Sequence, residues 1–181
     1  SSGKALRMSG IDMDITHRKK AQQALEVHAD RQALVAEISQ AALAGIDLNG
    51  LMHQAVTTIA QCLEVEYCNI LELLPEGNEL LLRSGIGWHT GLLGTLRTSA
   101  TENSQGSYII NSQEPVIVED LTKETRFEKS QLLLEHNVVS GLSLIIHGKE
   151  RPFGILGAHT TKQRRFTRDE VFLLQAIANV L

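Results

Sequence analysis

Aromatic residues are scarce in this chain, at 4% with a single tryptophan, and cations do not outnumber anions: 17 Lys and Arg stand against 21 Asp and Glu. The net charge of −4 offers phosphates no cationic groove, and so few rings make no platform for stacked bases, so nucleic acid is not an expected partner. No apolar run approaches the roughly 18 residues of a membrane span. The opening S-S-G-K-A-L-R also lacks the apolar core of a signal peptide. A cytoplasmic fragment without membrane contact of its own is expected, whose parent protein is free to be tethered elsewhere. Only two cysteines occur, Cys62 and Cys68, and the five residues between them fit neither a C-x-x-C redox pair nor a zinc knuckle. Both are read as reduced packing thiols. The histidines lack tight spacing such as H-x-H, so no metal site is expected.

Proline and glycine are missing altogether from residues 16–44, where alanine, glutamine, leucine and glutamate dominate. That composition predicts one long helix. Val27, Leu34, Ile38 and Ala41 fall on one seam at coiled-coil steps, but His28, Arg31 and Gln32 interrupt it. The expectation is a weak, adjustable homodimer seam that modest inputs can bias. Gly45, Ile46 and Asp47 break the helix, and a second follows with Leu48, Leu51, Met52, Ala55, Val56, Ile59 and Leu63 on one apolar face.

The period then changes. Residues 65–74 and 79–83 read as strands joined by a turn at Pro75, Glu76, Gly77 and Asn78. Residues 84–107, rich in glycine, serine and threonine, read as loop with short helical turns. A short element is expected at 108–111, a buried strand at 115–119, a turn from Asp120, and a helix at 131–135 ended by His136 and Asn137. Two more strands, 139–147 and 153–160, flank a charged loop, and Thr167 can cap a helix running to Leu181. This order predicts an α+β fold: a central antiparallel sheet with N- and C-terminal helices packed on one face, preceded by a long connector helix.

Two resemblances sharpen the reading. G-I-D-M-D-I-T-H-R-K-K-A-Q-Q-A-L, residues 10–25, resembles the string that closes PAS sensor domains, matched at Asp14, Ile15, Thr16, Arg18, Lys19, Ala21, Ala24 and Leu25. Further on come E-P-V-I-V-E-D-L with Arg126 and Phe127, then V-V-S-G-L-S-L-I-I-H-G, R-P-F-G-I-L-G-A-H-T and R-R-F-T-R-D-E-V-F-L-L-Q-A-I-A-N-V-L. That succession is similar to the GAF domain family. Gly154 and Gly157 flank an apolar strand centre, and Phe166 and Phe172 are placed to anchor the last helix. The resemblance implies the end of a PAS domain at 1–16, a connector at 17–45 and a GAF domain at 46–181. It also implies a small-molecule pocket on the sheet face away from the helices, roofed by residues 84–107.

Particular ligand chemistries find little support. Bilin-binding relatives attach the pigment through a roof cysteine, and no cysteine lies beyond Cys68. Cyclic-nucleotide-binding relatives carry an Asn-Lys pair before their Phe and Asp-Glu; here Phe166, Asp169 and Glu170 stand without it, and F-T-x-D-E reads equally as a capped helix start. His89, His147 and His159 could in principle serve haem, but isolated histidines at such places more often make hydrogen bonds. Neither a thiol pair nor a G-x-S-x-G elbow supports catalysis. No cofactor and no enzymatic activity are therefore expected of the fragment. Trp88, His89, Leu92, Leu93, Tyr108, Ser143 and His159 remain as pocket candidates, with Trp88 and Tyr108 equally readable as core fillers. The reading is a sensory or relay segment between an upstream PAS domain and an output domain, expected to be a two-component histidine kinase, with a diguanylate cyclase or phosphodiesterase as the alternative output. A ligand-free dimerisation spacer is the alternative.

Overall fold

The structure, a computed structural model, describes residues 22, 29, 32–112 and 114–181. Val27 and the PAS-like string, except its residue 22, lie outside the described residues. Internal contacts divide the chain into residues 1–37 and 38–181, and the second unit carries the fold. Helix α1 covers 32–43. Gly45 stops it at φ +78°, while the N–H of Ile46 donates to Ala41 and that of Gly45 to Ala42. This paired closure needs a left-handed residue, the conformation glycine adopts without a Cβ clash.

Helix α2, Leu48–Leu63, begins where the Asp47 carboxylate accepts the N–H groups of Asn49 and Gly50. Leu51, Met52, Ala55, Val56, Ile59, Ala60 and Leu63 are buried along one stripe, whereas Leu48 stays 45% exposed. Each large member of that stripe contributes about 1.5–3 kcal/mol on full burial.

The strands are β1 (Tyr67–Leu73), β2 (Glu79–Ile86), β3 (Arg97–Ser99), β4 (Val116–Val118), β5 (Ser140–Ile146) and β6 (Gly154–Thr160). They form one antiparallel sheet in the order β3-β2-β1-β6-β5-β4. Short helices α3 (Gln105–Asn111) and α4 (Gln131–Glu135) interrupt the strand sequence, and α5 (Arg168–Ala178) closes it. The expected α+β fold with helices on one sheet face is present. Residues 84–107 differ from the expected loop: β2 runs on to Ile86, β3 forms within the stretch, and α3 starts in it. Glycine and threonine content hid an edge strand of three residues.

Because side chains alternate along a strand, the sheet has two distinct faces. Ile70, Leu142, Leu144, Ile146, Leu156 and Ala158 share the face covered by α2 and α5, and each is at most 2% exposed. Thr167 caps α5 by accepting the Glu170 N–H, while the Glu170 carboxylate accepts the Thr167 N–H. Arg164 ties the two helices: it donates to Leu63 O at the end of α2 (2.7 Å), pairs with Glu170, and lies 4.7 Å over the Phe166 ring. Phe166 is buried as expected, but Phe172 is 68% exposed and does not anchor α5. Its place on the helix faces away from Leu173, Leu174 and Ile177, which fill the core.

Candidate functional site

On the opposite face, register brings polar and small residues into two rows. Asn69 on β1 lies across from Gly157 on β6, which lies across from Ser143 on β5, itself paired with Val116 on β4. The next row runs Tyr67, His159, Gly141 and Val118. The two glycines explain how an imidazole fits here. A Cβ at Gly157 would stand 2.5 Å from both Asn69 Oδ1 and His159 Nε2, and one at Gly141 would stand 2.4 Å from His159 Nδ1. His159 therefore lies between positions that only glycine leaves open.

His159 is 3% exposed and Asn69 2%. Nε2 of His159 is 3.1 Å from Asn69 Oδ1, so with the amide in this orientation Nε2 carries the proton and donates. Burial pushes the imidazole down to about 4 from its ordinary 6.5, which keeps the ring neutral at physiological pH. Nδ1 is then an acceptor, fully buried and without a protein partner. Buried polar atoms are nearly always satisfied, and an exception calls for an explanation.

The His159 side chain borders open space. His159, Ser143, Gln105 and Leu133 line two adjoining cavities of about 30 and 10 Å³. Asn69, Leu71, Leu80, Ile109, Leu132 and Ile155 complete most of the larger one; Val118, Leu121, Val138, Ser140 and Gly141 complete most of the smaller. No charged side chain is among them. In this measure one water needs about 10–15 Å³, so the volumes suit a few waters and not a drug-sized molecule.

The roof is short helix rather than open loop. Ser104 caps α3 by accepting the Ser107 N–H, and the Gln105 carbonyl oxygen Oε1 accepts the Ser130 N–H at the start of α4, 3.4 Å away. Gly106 lets α3 come close, since a Cβ there would lie 2.6 Å from Leu80 and from Ser99 O. His136, just past α4, donates from Nδ1 to Leu132 O (2.8 Å), leaving Nε2 to accept the His89 N–H (3.2 Å). A backbone N–H can only donate, so this arrangement requires the neutral ring. Tyr67, Trp88, His89 and His136 cluster through tilted and edge-on ring contacts, and the ring centroids of Trp88 and His159 lie 6.1 Å apart. The Trp88 N–H donates to Cys68 O at 2.8 Å, which fixes the indole. Burial raises the Cys68 thiol far above its usual range, so it is no thiolate nucleophile.

Of the residues expected at the site, the structure brings Ser143 and His159 together on the cavity floor. Trp88 and Leu92 are half-buried against the same core, whereas His89 and Leu93 are exposed. Tyr108 lines a separate open cleft of about 370 Å³ with Ser107, Asn111 and Arg126. There the Arg126 guanidinium bonded to Glu124 holds that carboxyl at about 2. In the proposed seam, Ile38 is 1% exposed, and Leu34 and Ala41 are half-buried. Sequence reasoning missed Asn69, Gln105 and His136. Asn69 had a signal: it is the one amide within an otherwise apolar strand centre, where an unpaired polar group is costly.

Among the described residues, no helix is long and apolar enough to cross a membrane. No curated protein matches the chain. Solved structures similar to it include the GAF domain of a phosphoenolpyruvate-protein phosphotransferase from Coxiella burnetii, 18% identical, covering 83% of this chain and 92% of that one at a TM-score of 0.71. Free methionine-R-sulfoxide reductase from Neisseria meningitidis, with its substrate, is 12% identical over 84% and 86% of the two chains, at 0.69. A phycocyanobilin-bound GAF domain of a cyanobacterial phytochrome is 15% identical over 83% and 90%, at 0.67. At these identities the likeness shows a shared fold and carries no ligand across. The sequence model of the GAF domain matches residues 47–181, three quarters of the chain and all of its sheet, and the chain belongs to the GAF domain family.

Proposed function

We propose that this domain is a small-molecule sensor whose ligand enters over the sheet face carrying His159, and that the described structure is its closed form. The observation that supports it most is the buried Nδ1 of His159, an acceptor without a protein partner, on a side chain that lines both cavities together with Gln105 and Ser143. A ligand larger than water needs α3 and α4 to move. One that prefers the opened roof shifts the population by its differential affinity, typically about 1–3 kcal/mol of coupling. The change would pass along α2 and α5 to the rest of a signalling chain. The PAS-like string at 10–25 supports an upstream sensor, and similar arrangements lead into a histidine kinase as output.

Fragment-sized compounds titrated into the ¹⁵N-labelled chain test this. The expected result is a set of amide shifts confined to Ile109, Leu133, Ser143 and their neighbours, abolished by Ser143→Leu, which fills the cavity. If no compound moves those amides, and α3 and α4 exchange hydrogen only through global unfolding, the sensor reading fails. The small cavity volumes would then favour the second reading, a ligand-free spacer dimerising through Leu34, Ile38 and Ala41 and the terminal helices.

A further inference from the structure

The same cavity holds information about what kind of molecule it accepts. Neither cavity is lined by a Lys, Arg, Asp or Glu side chain. An ionised ligand would therefore give up its hydration without a counter-charge, at a cost that neutral ligands avoid. On the floor, Asn69, Ser143 and His159 present neutral polar groups beside the carbon of Leu71, Leu80 and Ile155, and on the roof side Gln105 and Ser130 stand beside Ile109 and Leu133.

His159 fixes the sense of the polar contact. Its Nε2 proton is committed to Asn69 Oδ1, so the ring has no second proton to give and Nδ1 offers only a lone pair. The ring has nowhere to turn, because Gly157 and Gly141 make a slot with room for an imidazole and not for a Cβ as well. Gln105 on α3 and Leu133 on α4 line both cavities, as Ser143 and His159 do.

We propose that the cavity selects a small, uncharged molecule with an apolar body and one N–H or O–H group, which donates its hydrogen bond to Nδ1 of His159 while the body packs between Leu80 on the sheet and Ile109 and Leu133 on the helices. This rests on the sensor reading above. It adds that recognition works by a neutral acceptor held in a glycine slot, so anions and cations are refused.

The test uses four aromatic probes of similar size on the chain carrying ¹⁵N-labelled histidine at neutral pH: phenol, toluene, benzoate and benzylamine. Phenol is expected to move the His159 Nδ1 resonance towards that of a hydrogen-bonded acceptor and to bind about three- to tenfold more tightly than toluene. Benzoate and benzylamine are expected to leave the resonance in place. In His159→Phe the preference for phenol over toluene should vanish. His159→Asn serves as the second variant should the phenylalanine not fold in the slot. Toluene binding as tightly as phenol would overturn the acceptor role. Benzoate or benzylamine binding more tightly than phenol would overturn the neutral class while leaving the cavity as a ligand site. No probe reaching His159 would overturn the inference and the sensor reading together.

Discussion

The two faces of one sheet are built on different rules. Against α2 and α5 the strands offer Ile70, Leu142, Leu144, Leu156 and Ala158, carbon on carbon and almost fully buried. Against α3 and α4 the same strands mix buried Leu71, Leu80, Val116, Val118 and Ile155 with Asn69, Ser143, Gly141, Gly157 and His159, and small cavities lie above them. The first face is what a stable domain needs. The second leaves a buried nitrogen without a partner and fills its slot with glycines, which contribute no packing of their own. Natural sequences break local consistency at sites of function, and here the unpartnered nitrogen and its glycine slot lie on one side of a single β-layer.

Substitutions on each side measure that contrast. Ile59→Ala, on the fully buried stripe of α2, should cost about 4 kcal/mol, seen as a large fall in the urea midpoint at unchanged slope. A loss below about 1 kcal/mol would mean that the helical face is not the tight one.

Acid should act on the other face. His159 sits at about 4 folded and near 6.5 unfolded, so the unfolded chain binds more protons between those values. Stability is then full above pH 6.5 and falls as the pH drops towards 4, by about 3 kcal/mol in all. His159→Asn should flatten this window. Glu124, held at about 2, loses its contribution from about pH 5 downwards and so overlaps only the acid end of the window.

Gly157→Ala should cost about 2 kcal/mol, since its methyl group would press on Asn69 and His159. The sharper sign is a smaller acid effect in the same variant, because the ring would be driven from its slot. Phe172→Ser should change stability by less than about 0.5 kcal/mol, as expected of a side chain two-thirds in solvent. A larger loss would show that Phe172 packs against something in solution.

The legible part of this molecule was the helical face. Leu51, Ala55, Val56 and Ile59 announce it through a period of 3.6, and the strands opposite them through apolar residues at alternate positions such as Leu142, Leu144 and Ile146. The Thr167 cap and its Glu170 partner were equally visible. Ser143 and His159 were found because both interrupt apolar strands near a predicted pocket. Phe172 was misplaced because an aromatic residue in a helix declares no face by itself. Asn69, Gln105 and His136 escaped because their roles arise across strands or between short helices, in pairings 25 to 90 residues apart that no local pattern encodes. The aromatic cluster of Tyr67, Trp88 and His136 is hidden for the same reason.

The polar face turns on one imidazole. Nitrogen-15 spectra of the His159 ring, followed in the ligand-free protein from pH 7.5 down to 4, test it most directly. The structure predicts a neutral ring protonated at Nε2, with Nδ1 bare, that takes a second proton only near pH 4. A ring protonated at Nδ1, or one that titrates near its ordinary 6.5, would contradict the account.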